Sequence, residues 1–251
     1  MTIVGNDVVD LGDPRCGGKA EDRRFVARVF ADDEAAAIRS ASRPDRTLWL
    51  HWAAKEAAYK AVSKLLGSPP VFEHRAFRVR LDSGGEEGGA APAGSVRYRN
   101  AELPFDGEAA PDWIHLVAWH VTAGEEVAPI RRCVRALPAG EGDNGEAWRA
   151  ALRDRFTREE WSSVHSRASA LVRIMAKGEL AETLGADEGA LEIVCPPGPA
   201  GRRPPSLRIR GRPWAGDVSL SHHGRLVAWA YTLVGLDGDG GAPGSGGGGP
   251  S

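Results

Sequence analysis

The sequence predicts an α+β fold built from two similar α+β lobes, each a small antiparallel sheet packed with helices and related to the other by a pseudo-two-fold axis. Three observations predict it. Runs that alternate in steps of two, typical of strands, are interspersed with runs of helical periodicity. The strand motifs of the first half recur in the same order in the second. A helix rich in Ala, Lys, Glu and Leu spans Arg46 to Leu66, with Gly67 as its predicted C-cap.

The internal repeat consists of two motifs. Leu116 to Trp119 (Leu-Val-Ala-Trp) recurs as Leu226 to Trp229, and Phe77 to Arg80 (Phe-Arg-Val-Arg) resembles Leu207 to Arg210. The copies are 110 residues apart for the first motif and 130 for the second, so the first copy carries extra residues between its motifs. The predicted division is a first lobe over 1–126, a second lobe over 127–235 and a disordered tail over 236–251.

The remaining elements follow from periodicity and from turn residues. Soft stretches rich in Gly, Pro, Glu and Ala at 82–94 and 138–145 are predicted to be loops. The predicted strands are Val4 to Leu11, Phe77 to Leu81, Trp113 to Val121, Ile130 to Leu137, Leu207 to Gly211 and Val218 to Leu233, and the predicted helices are Asp22 to Ser40, Arg46 to Leu66, Ala147 to Phe156 and Ser162 to Leu184.

Composition restricts the class of protein. The 251 residues are 42% hydrophobic and 26% charged, which is ordinary for a globular protein, and the net charge of −2 indicates neither nucleic acid nor a membrane as partner. Cys16, Cys133 and Cys195 form no Cys-x-x-Cys pair and no disulfide framework, which is typical of a reducing compartment. With no signal peptide and no long apolar run, we expect a cytoplasmic location.

The strongest local motif is Trp52-Ala-Ala-Lys55-Glu56-Ala-Ala-Tyr-Lys60. On a helix, Trp52, Glu56 and Lys60 share one face because they are spaced by four residues. Taken alone, the pattern also fits a surface Glu–Lys pair beside a half-buried Trp.

Two further motifs flank short apolar runs. Gly5-Asn6-Asp7 can project a carboxylate from a strand end, although a turn or capping role suits Asp7 equally well. Ser221-His222, next to a Gly and an Arg, can surround a phosphate with charge-assisted donors. A zinc site is disfavoured, since no third ligand lies at the right spacing, and a Ser-His hydrolase is disfavoured by the absence of a Gly-x-Ser-x-Gly elbow.

Together these motifs resemble the 4'-phosphopantetheinyl transferase superfamily, whose signature joins a Gly-x-Asp strand, a Trp/Phe-x-x-Lys-Glu-x-x-x-Lys helix and a Ser-His strand. Gly211-Arg212-Pro213 resembles the family's Gly-Lys-Pro element with Arg in place of Lys. In the two-lobed surfactin-type members the Ser-His lobe comes first. Here it comes second, so the chain resembles a two-lobed member with its lobes in permuted order, and we expect a monomer with a complete site.

The resemblance implies Mg²⁺-dependent transfer of the 4'-phosphopantetheine arm of coenzyme A to a serine of an acyl or peptidyl carrier protein, with release of 3',5'-ADP. Asp7 and Glu56 would hold Mg²⁺, Glu56 would also act as base, and Lys60 would hold the β-phosphate. The coenzyme A contacts implied or suggested by this resemblance are Ser221, His222, Lys55, Lys60, Arg212, Arg173 and Arg167.

The sequence departs from the family pattern at two positions. Val9 stands where many two-lobed members carry a third acid, so we expect a water at that place on the metal, with Asp10 facing away. Asn6 stands where a branched aliphatic residue is usual, and the sequence does not explain it. The alternatives are a non-catalytic homologue that binds coenzyme A or a carrier protein, and an interaction module with accidental motifs. A basic patch at Arg23, Arg24 and Arg28 is the candidate dock for an acidic carrier, or an ordinary solvated helix surface.

Overall fold

The first half of the chain is a five-stranded antiparallel sheet with the order β1-β5-β4-β3-β2, covered by a long helix, α3. The computed structural model describes residues 1–82, 91–138, 147–198 and 201–233. The strands are β1 (Thr2–Asp10), β2 (Phe77–Leu81), β3 (Ala93–Tyr98), β4 (Ala101–Ala110), β5 (Trp113–Val121), β6 (Ile130–Ala136), β7 (Leu191–Val194), β8 (Pro197–Gly198), β9 (Gly201–Arg202), β10 (Ser206–Ile209), β11 (Arg212–Pro213), β12 (Val218–His223) and β13 (Leu226–Thr232). The helices are α1 (Arg23–Val29), α2 (Asp32–Ser40), α3 (Pro44–Leu65), α4 (Ala147–Leu152), α5 (Arg158–Trp161) and α6 (Arg167–Leu184).

Helix α3 lies across β1 and β5 and forms the core of the first half. Its alanines, among them Ala53, Ala57 and Ala61, are fully buried. Small side chains on this face allow the helix to approach the sheet closely. The large apolar residues Phe30, Leu48 and Phe77 fill the surrounding space.

The second half contains two three-stranded sheets, β12-β13-β6 and β11-β10-β7, and the short pair β8-β9. Helix α6 packs on β12, β13 and β7. Val172, Ala176 and Leu180 provide its buried face, because residues spaced by four lie one above the other on a helix. The architecture confirms the predicted α+β class.

The predicted elements match the structure with the following corrections. The predicted helix over 22–40 is two helices, broken at Phe30 and Ala31, where the backbone is extended. The predicted helix over 162–184 begins only at Arg167, after Ser166 caps its first turn. Strands β3, β4, β7, β8, β9 and β11 were not predicted, and the single strand predicted over 218–233 is the antiparallel hairpin of β12 and β13. The predicted tail, 236–251, and most of the two predicted loops lie outside the described residues.

The two halves meet along β1. Val4 packs against Val117 and Ala230, and Val8 packs against Leu226 and Ala228. Side chains with even numbers on β1 therefore face the second half, whereas the odd-numbered ones face α3. This alternation lets one strand serve both halves.

Three backbone segments converge beside the start of β1. The Thr122 N–H donates to the Met1 carbonyl at 3.3 Å, and the Ala128 N–H donates to Thr2 Oγ1 at 2.8 Å. The Leu233 N–H, just after β13, donates to the Pro129 carbonyl at 2.8 Å. The beginning of β1, the connection between the halves and the end of β13 thus lie together.

A buried ion pair occurs in the same local setting in each half. In the first, Glu34 accepts from Lys55 at 2.8 Å, from its own helix start at the Ala31 N–H and from the β2 residue Val79. In the second, Glu160 accepts from Lys177 at 3.1 Å, from Thr157 and from the β7 residue Ile193. Both pairs link a short helix, a long helix and a strand.

Each Leu-Val-Ala-Trp copy lies on a strand that pairs with the first strand of its half. Trp119 on β5 is opposite Val4 of β1, and Trp229 on β13 is opposite Cys133 of β6. These shared positions support a two-fold relation between the lobes, which stays a prediction.

Candidate active site

Gly5 allows helix α3, which contains the Trp52-to-Lys60 motif, to lie directly on β1. A Cβ atom at this position would lie 2.0 Å from the Ala57 carbonyl oxygen and 2.6 Å from the Ala61 nitrogen. Only glycine fits, because the helix backbone occupies the space that a side chain would need. The close approach carries Glu56 and Lys60 over the neighbouring strand residue Asp7.

Asp7 and Lys60 form an ion pair at the edge of this contact. Lys60 Nζ donates to Asp7 Oδ1 at 2.9 Å and to the Asn6 carbonyl at 2.8 Å. The Asp7 side chain is 14% exposed and that of Lys60 28%, so both remain accessible to a ligand. The structure thus brings together two of the predicted site residues.

Glu56 lies one helical turn before Lys60 and is half-buried. Burial raises the pKa of Glu56 to about 7, the negative charge of Asp7 adds to the rise, and Lys60 opposes it. Among the described residues no group donates a hydrogen bond to the Glu56 carboxylate. Two neighbouring carboxylates, one of them without a donor, are a suitable oxygen set for a divalent cation.

Mg²⁺ fits this pair on chemical grounds. It is usually bound by one or two protein carboxylates, with substrate phosphates and waters filling the other positions. The described part of the chain contains no cluster of three His, Cys, Asp or Glu residues suited to a metal. Asp7 and Glu56 would be the protein's contribution to such a site, which stays a prediction.

Strand β12 runs beside the free edge of β1 in the parallel direction. Backbone N–H groups of β1 donate to β12 side chains: Val4 to Asp217 at 2.7 Å, Asn6 to Ser219 at 2.9 Å and Asp10 to His223 at 3.0 Å. All three pairs are 213 residues apart in sequence, which defines one register. Side chains of β12 thus accept the β1 hydrogen bonds that the backbone carbonyls of a sixth strand would otherwise accept.

This register determines which way the two side chains of the Ser-His motif point. Ser221 lies on the face of β12 that meets β1 and accepts from Asn6 Nδ2 at 2.9 Å. His222 is exposed on the opposite face, which it shares with Leu220.

Helix α3 follows β12 in the opposite direction. The Trp49 ring lies 6.4 Å from that of His223, and Lys64 Nζ donates to the Val218 carbonyl at 2.7 Å. Between these contacts the helix rises about 22 Å and the strand about 17 Å. Glu56 and Lys60 lie within the helical stretch and Ser221 and His222 within the strand stretch. We call the space between these two stretches the groove. Glu56 and Lys60 lie on its helix side, and Ser221 and His222 lie on its strand side.

A cavity of about 180 Å³ opens at the Lys60 end of this groove. Its walls come from both halves, with Lys60 and Lys64 on α3 facing Leu220 and the segment that contains Arg202 and Arg203. The Arg202 guanidinium donates hydrogen bonds to Ser162 and, at 3.0 Å, to the Cys195 carbonyl, whereas Arg203 is exposed. Lys60 and Lys64 are paired with Asp7 and Asp217 and most of the exposed lining is apolar, so Arg203 is the basic wall residue most open to an anionic ligand.

Lys55 lies elsewhere, which corrects the expectation that it binds a ligand phosphate. It is fully buried, with Nζ 2.9 and 2.8 Å from the two Glu34 carboxylate oxygens. The carbonyls of His74 and Phe77 also accept from it. Because the ammonium group is enclosed by oxygen acceptors, its role in this structure is to hold α2 and β2 on α3.

Arg173 is also misplaced by the sequence prediction. It is 6% exposed, and its guanidinium donates to Ser169, to Ser163 and to the Cys195 sulfur. These bonds make Arg173 a core residue of the second half rather than a nucleotide contact.

Arg167 and Arg212 remain at the surface of the second half. Arg167 begins α6, is half-buried and donates to the Pro138 carbonyl at 3.0 Å. Arg212 is exposed on β11, opposite Ile209. Their part in ligand binding stays a prediction.

Asp10 is a link between the halves. Its carboxylate accepts from Arg225 Nε at 2.9 Å and Nη2 at 2.7 Å, and also from the Arg225 and Gly12 N–H groups. The hydrogen bonds from the Arg225 side chain lower the pKa of Asp10 most strongly. Since Asp10 lies on the even-numbered face, it points away from Asp7, as expected. Val9 lies in the core with α3.

Sequence reasoning missed Lys64 and Arg203, and it noted Asn6 without assigning it a role. Lys64 extends the four-residue spacing of Glu56 and Lys60 by one turn, a signal that could have found it. Arg202-Arg203 before Pro204-Pro205 is a basic pair that could have been noted as a phosphate candidate. Asn6 stood out only as a departure from the family pattern, and its role could not be inferred because its partners are more than 100 residues away.

The chain was compared with protein-family models, curated proteins and solved structures. A family model described as the 4'-phosphopantetheinyl transferase superfamily matches residues 3–101. No curated protein matches the chain. Among solved structures, it is similar to the holo-(acyl-carrier-protein) synthase AcpS from Neisseria meningitidis, with 16% identity and a TM-score of 0.34, over 47% of this chain and 95% of that one. Within the described residues, no helix has the length and apolar character to cross a membrane.

The family match contains Gly5, Asp7, Glu56 and Lys60, the residues that the geometry gathers on one side of the groove. It therefore confirms the resemblance that these motifs indicated: residues 3–101 match the model of the 4'-phosphopantetheinyl transferase superfamily.

Proposed function

We propose that this chain transfers the 4'-phosphopantetheine moiety of coenzyme A to a serine of an acyl or peptidyl carrier protein, depends on Mg²⁺ and releases 3',5'-ADP. The observation that carries the proposal is that β12, with Ser221 and His222, runs beside β1, with Asp7, and along helix α3, with Glu56 and Lys60, within one chain. Coenzyme A contains a pyrophosphate and a 3'-phosphate, which need cations and donors of this kind.

The residues of the groove divide the chemistry. Lys60 would hold the β-phosphate as a point charge, and His222 and Ser221 would contact the phosphates from the opposite wall. The carrier serine oxygen attacks the β-phosphorus, and the bond from that phosphorus to the bridging oxygen breaks, so that 3',5'-ADP leaves. Bound Mg²⁺ would neutralise the pyrophosphate.

Glu56 is the candidate base for the carrier serine. Without a cation the pKa of Glu56 is about 7; bound Mg²⁺ would lower it, so that the carboxylate is ionised at neutral pH and able to accept the serine proton. Asp7 takes part in a salt bridge with Lys60 and is therefore better suited to hold the cation and orient the lysine.

Two lobes in permuted order would explain the organisation, with 1–126 as the first and 127–235 as the second. The repeated Glu–Lys pair supports this division. After Lys55 come Glu56 and, five residues on, Lys60; after Lys177 the same positions are Gly178 and Glu182. The second lobe would thus retain the scaffold without the metal site, so that one chain forms one site and acts as a monomer.

The carrier protein would dock on α1. Arg23, Arg24 and Arg28 are exposed there and form a positive surface that suits an acidic partner. The cytoplasm, where coenzyme A and carrier proteins meet, is the proposed location.

The test is incubation of the protein with coenzyme A, Mg²⁺ and a panel of apo carrier proteins, followed by intact-mass spectrometry. We expect at least one carrier to gain the mass of a phosphopantetheine group, and no gain when the metal is chelated. Binding of coenzyme A without transfer to any carrier would instead favour a non-catalytic homologue.

A further inference from the structure

Asn6 contacts both sides of the groove. Its side-chain Nδ2 donates to Ser221 Oγ on β12 at 2.9 Å, while its carbonyl accepts from Lys60 Nζ on α3 at 2.8 Å. Its backbone N–H donates to Ser219 Oγ at 2.9 Å. Asn6 is entirely buried and directly precedes Asp7. A single residue therefore connects the Ser-His strand with the acidic strand and its lysine.

His115 is the second partner of the Asn6 amide. Its Nε2 lies 3.0 Å from Asn6 Nδ2, and the ring is entirely buried. Burial lowers the pKa of His115 to about 3, so the imidazole is neutral and has one nitrogen that accepts. With Nε2 as the accepting nitrogen, the two Nδ2 hydrogens of Asn6 are both used, one by His115 and one by Ser221.

This arrangement has a consequence for Ser221. A hydroxyl group has one hydrogen to donate and two lone pairs that accept. Because Ser221 Oγ accepts from Asn6, its hydrogen is left to donate to another group. An amide turned the other way would present Oδ1 and would itself take that hydrogen.

We propose that Asn6 is a positioning residue for coenzyme A: by donating to Ser221 Oγ, it keeps the Ser221 hydroxyl hydrogen available to a phosphate oxygen of the ligand. The inference rests on the proposed function, which supplies the ligand. It concerns a feature of this chain, since a branched aliphatic residue is usual at this position and cannot donate.

The arrangement is not explained by stability. Asn6 Oδ1 and His115 Nδ1 are both buried and have no hydrogen-bond partner among the described residues. Unpartnered buried polar atoms disfavour the folded state. A buried polar pair held between the halves at this cost is expected where the pair serves a site.

The experiment compares Asn6→Val, Ser221→Ala and the double variant, with Thr232→Val as a control. Thr232 Oγ1 accepts from the Asp217 N–H at the other end of β12, so its loss removes a buried bond without touching Ser221. Calorimetry with Mg²⁺ gives the affinity for coenzyme A, thermal unfolding gives stability, and a transfer assay gives KM and kcat.

We expect Asn6→Val and Ser221→Ala each to weaken coenzyme A binding and raise KM about tenfold, the loss typical of one hydrogen bond to a charged group. The transfer step should change by less than about twofold, because neither residue touches the attacking serine. The double variant should bind no more weakly than Ser221→Ala alone, and Thr232→Val should bind as the wild type does.

Unchanged affinity in Asn6→Val, additive losses in the double variant, or an equal loss in Thr232→Val would each overturn the inference. If Asn6→Val does not fold, Asn6→Thr, which is smaller and also loses the paired amide donors, replaces it under the same criteria. Failure of the wild type to bind coenzyme A would instead refute the proposed function, so the two failures are distinguishable.

Discussion

Lys64 Nζ lies 2.8 Å from Asp217 Oδ2, and the pair joins α3 of the first half to β12 of the second. The lysine also donates to the carbonyls of Val4 and Val218, at 2.6 and 2.7 Å. The side chains are 8% and 10% exposed. Burial lowers the pKa of Lys64, and the charge of Asp217 opposes this effect. The relationship fixes one end of the groove.

Lys64→Met should strongly destabilise the protein, because it leaves the Asp217 carboxylate buried without its cation. Removal of one member of a buried pair typically costs about 3–5 kcal/mol. Chemical denaturation measures the free energy of unfolding. Lys64→Met with Asp217→Asn should recover part of the loss, and a double variant less stable than Lys64→Met would contradict this account.

Asp7→Asn and Glu56→Gln should each remove most transfer activity while the fold remains intact. Each change deletes a carboxylate that would hold the cation, and the amide keeps the size of the side chain. Single-turnover assays read by mass spectrometry measure the transfer, and circular dichroism checks the fold. Near-normal transfer by both variants would refute the metal assignment.

Glu56 should make the metal-free protein less stable as the pH rises. Its folded-state pKa of about 7 lies above the unfolded value of 4.5, so the folded state retains the proton between these values. Stability from this group is thus fully present below pH 4.5 and is lost as the pH rises toward 7, by at most about 3 kcal/mol. Glu56→Gln should lack this component. The free energy of unfolding of both proteins is measured by denaturation from pH 5 to 8. The same pH dependence in the wild type and in Glu56→Gln would disprove this prediction.

His222→Ala should weaken coenzyme A binding more than it slows the reaction of bound substrate. The imidazole is proposed to touch phosphate rather than the attacking serine. Calorimetry and single-turnover rates separate the two effects. An unchanged dissociation constant would count against the assignment, whereas Thr232→Val is a suitable control for general loosening of β12.

The sequence was informative where periodicity and close packing operate together. The bounds predicted for β1, β5 and α3 lie within two residues of those observed, since their buried faces repeat regularly. Strand β4 was missed because Pro104 and Gly107, residues that are unfavourable in strands, interrupt its alternation. Asp7, Glu56 and Lys60 could be predicted from residue spacing because they lie on these regular elements.

The site residues that sequence reasoning misjudged depend on distant partners. Lys55 and Glu56 are adjacent, yet Glu34, which is 21 residues away from Lys55, encloses the lysine and leaves the glutamate to the groove. Arg173 is similarly taken up by Ser163 and Cys195. Asn6 gained its meaning only when β12 was placed beside it. Such long-range contacts are invisible to spacing.

The convergence of the chain beside β1 has a consequence for ancestry. Leu233, at the end of β13, hydrogen-bonds to Pro129, and Thr2 hydrogen-bonds to Ala128, so the outer ends of the two halves and the connection between them lie within one small region. A short bridge from β13 to β1, with a cut in the connection at 122–129, would exchange the order of the halves and leave the groove undisturbed. Gene rearrangement could therefore interconvert the two orders by altering loops alone.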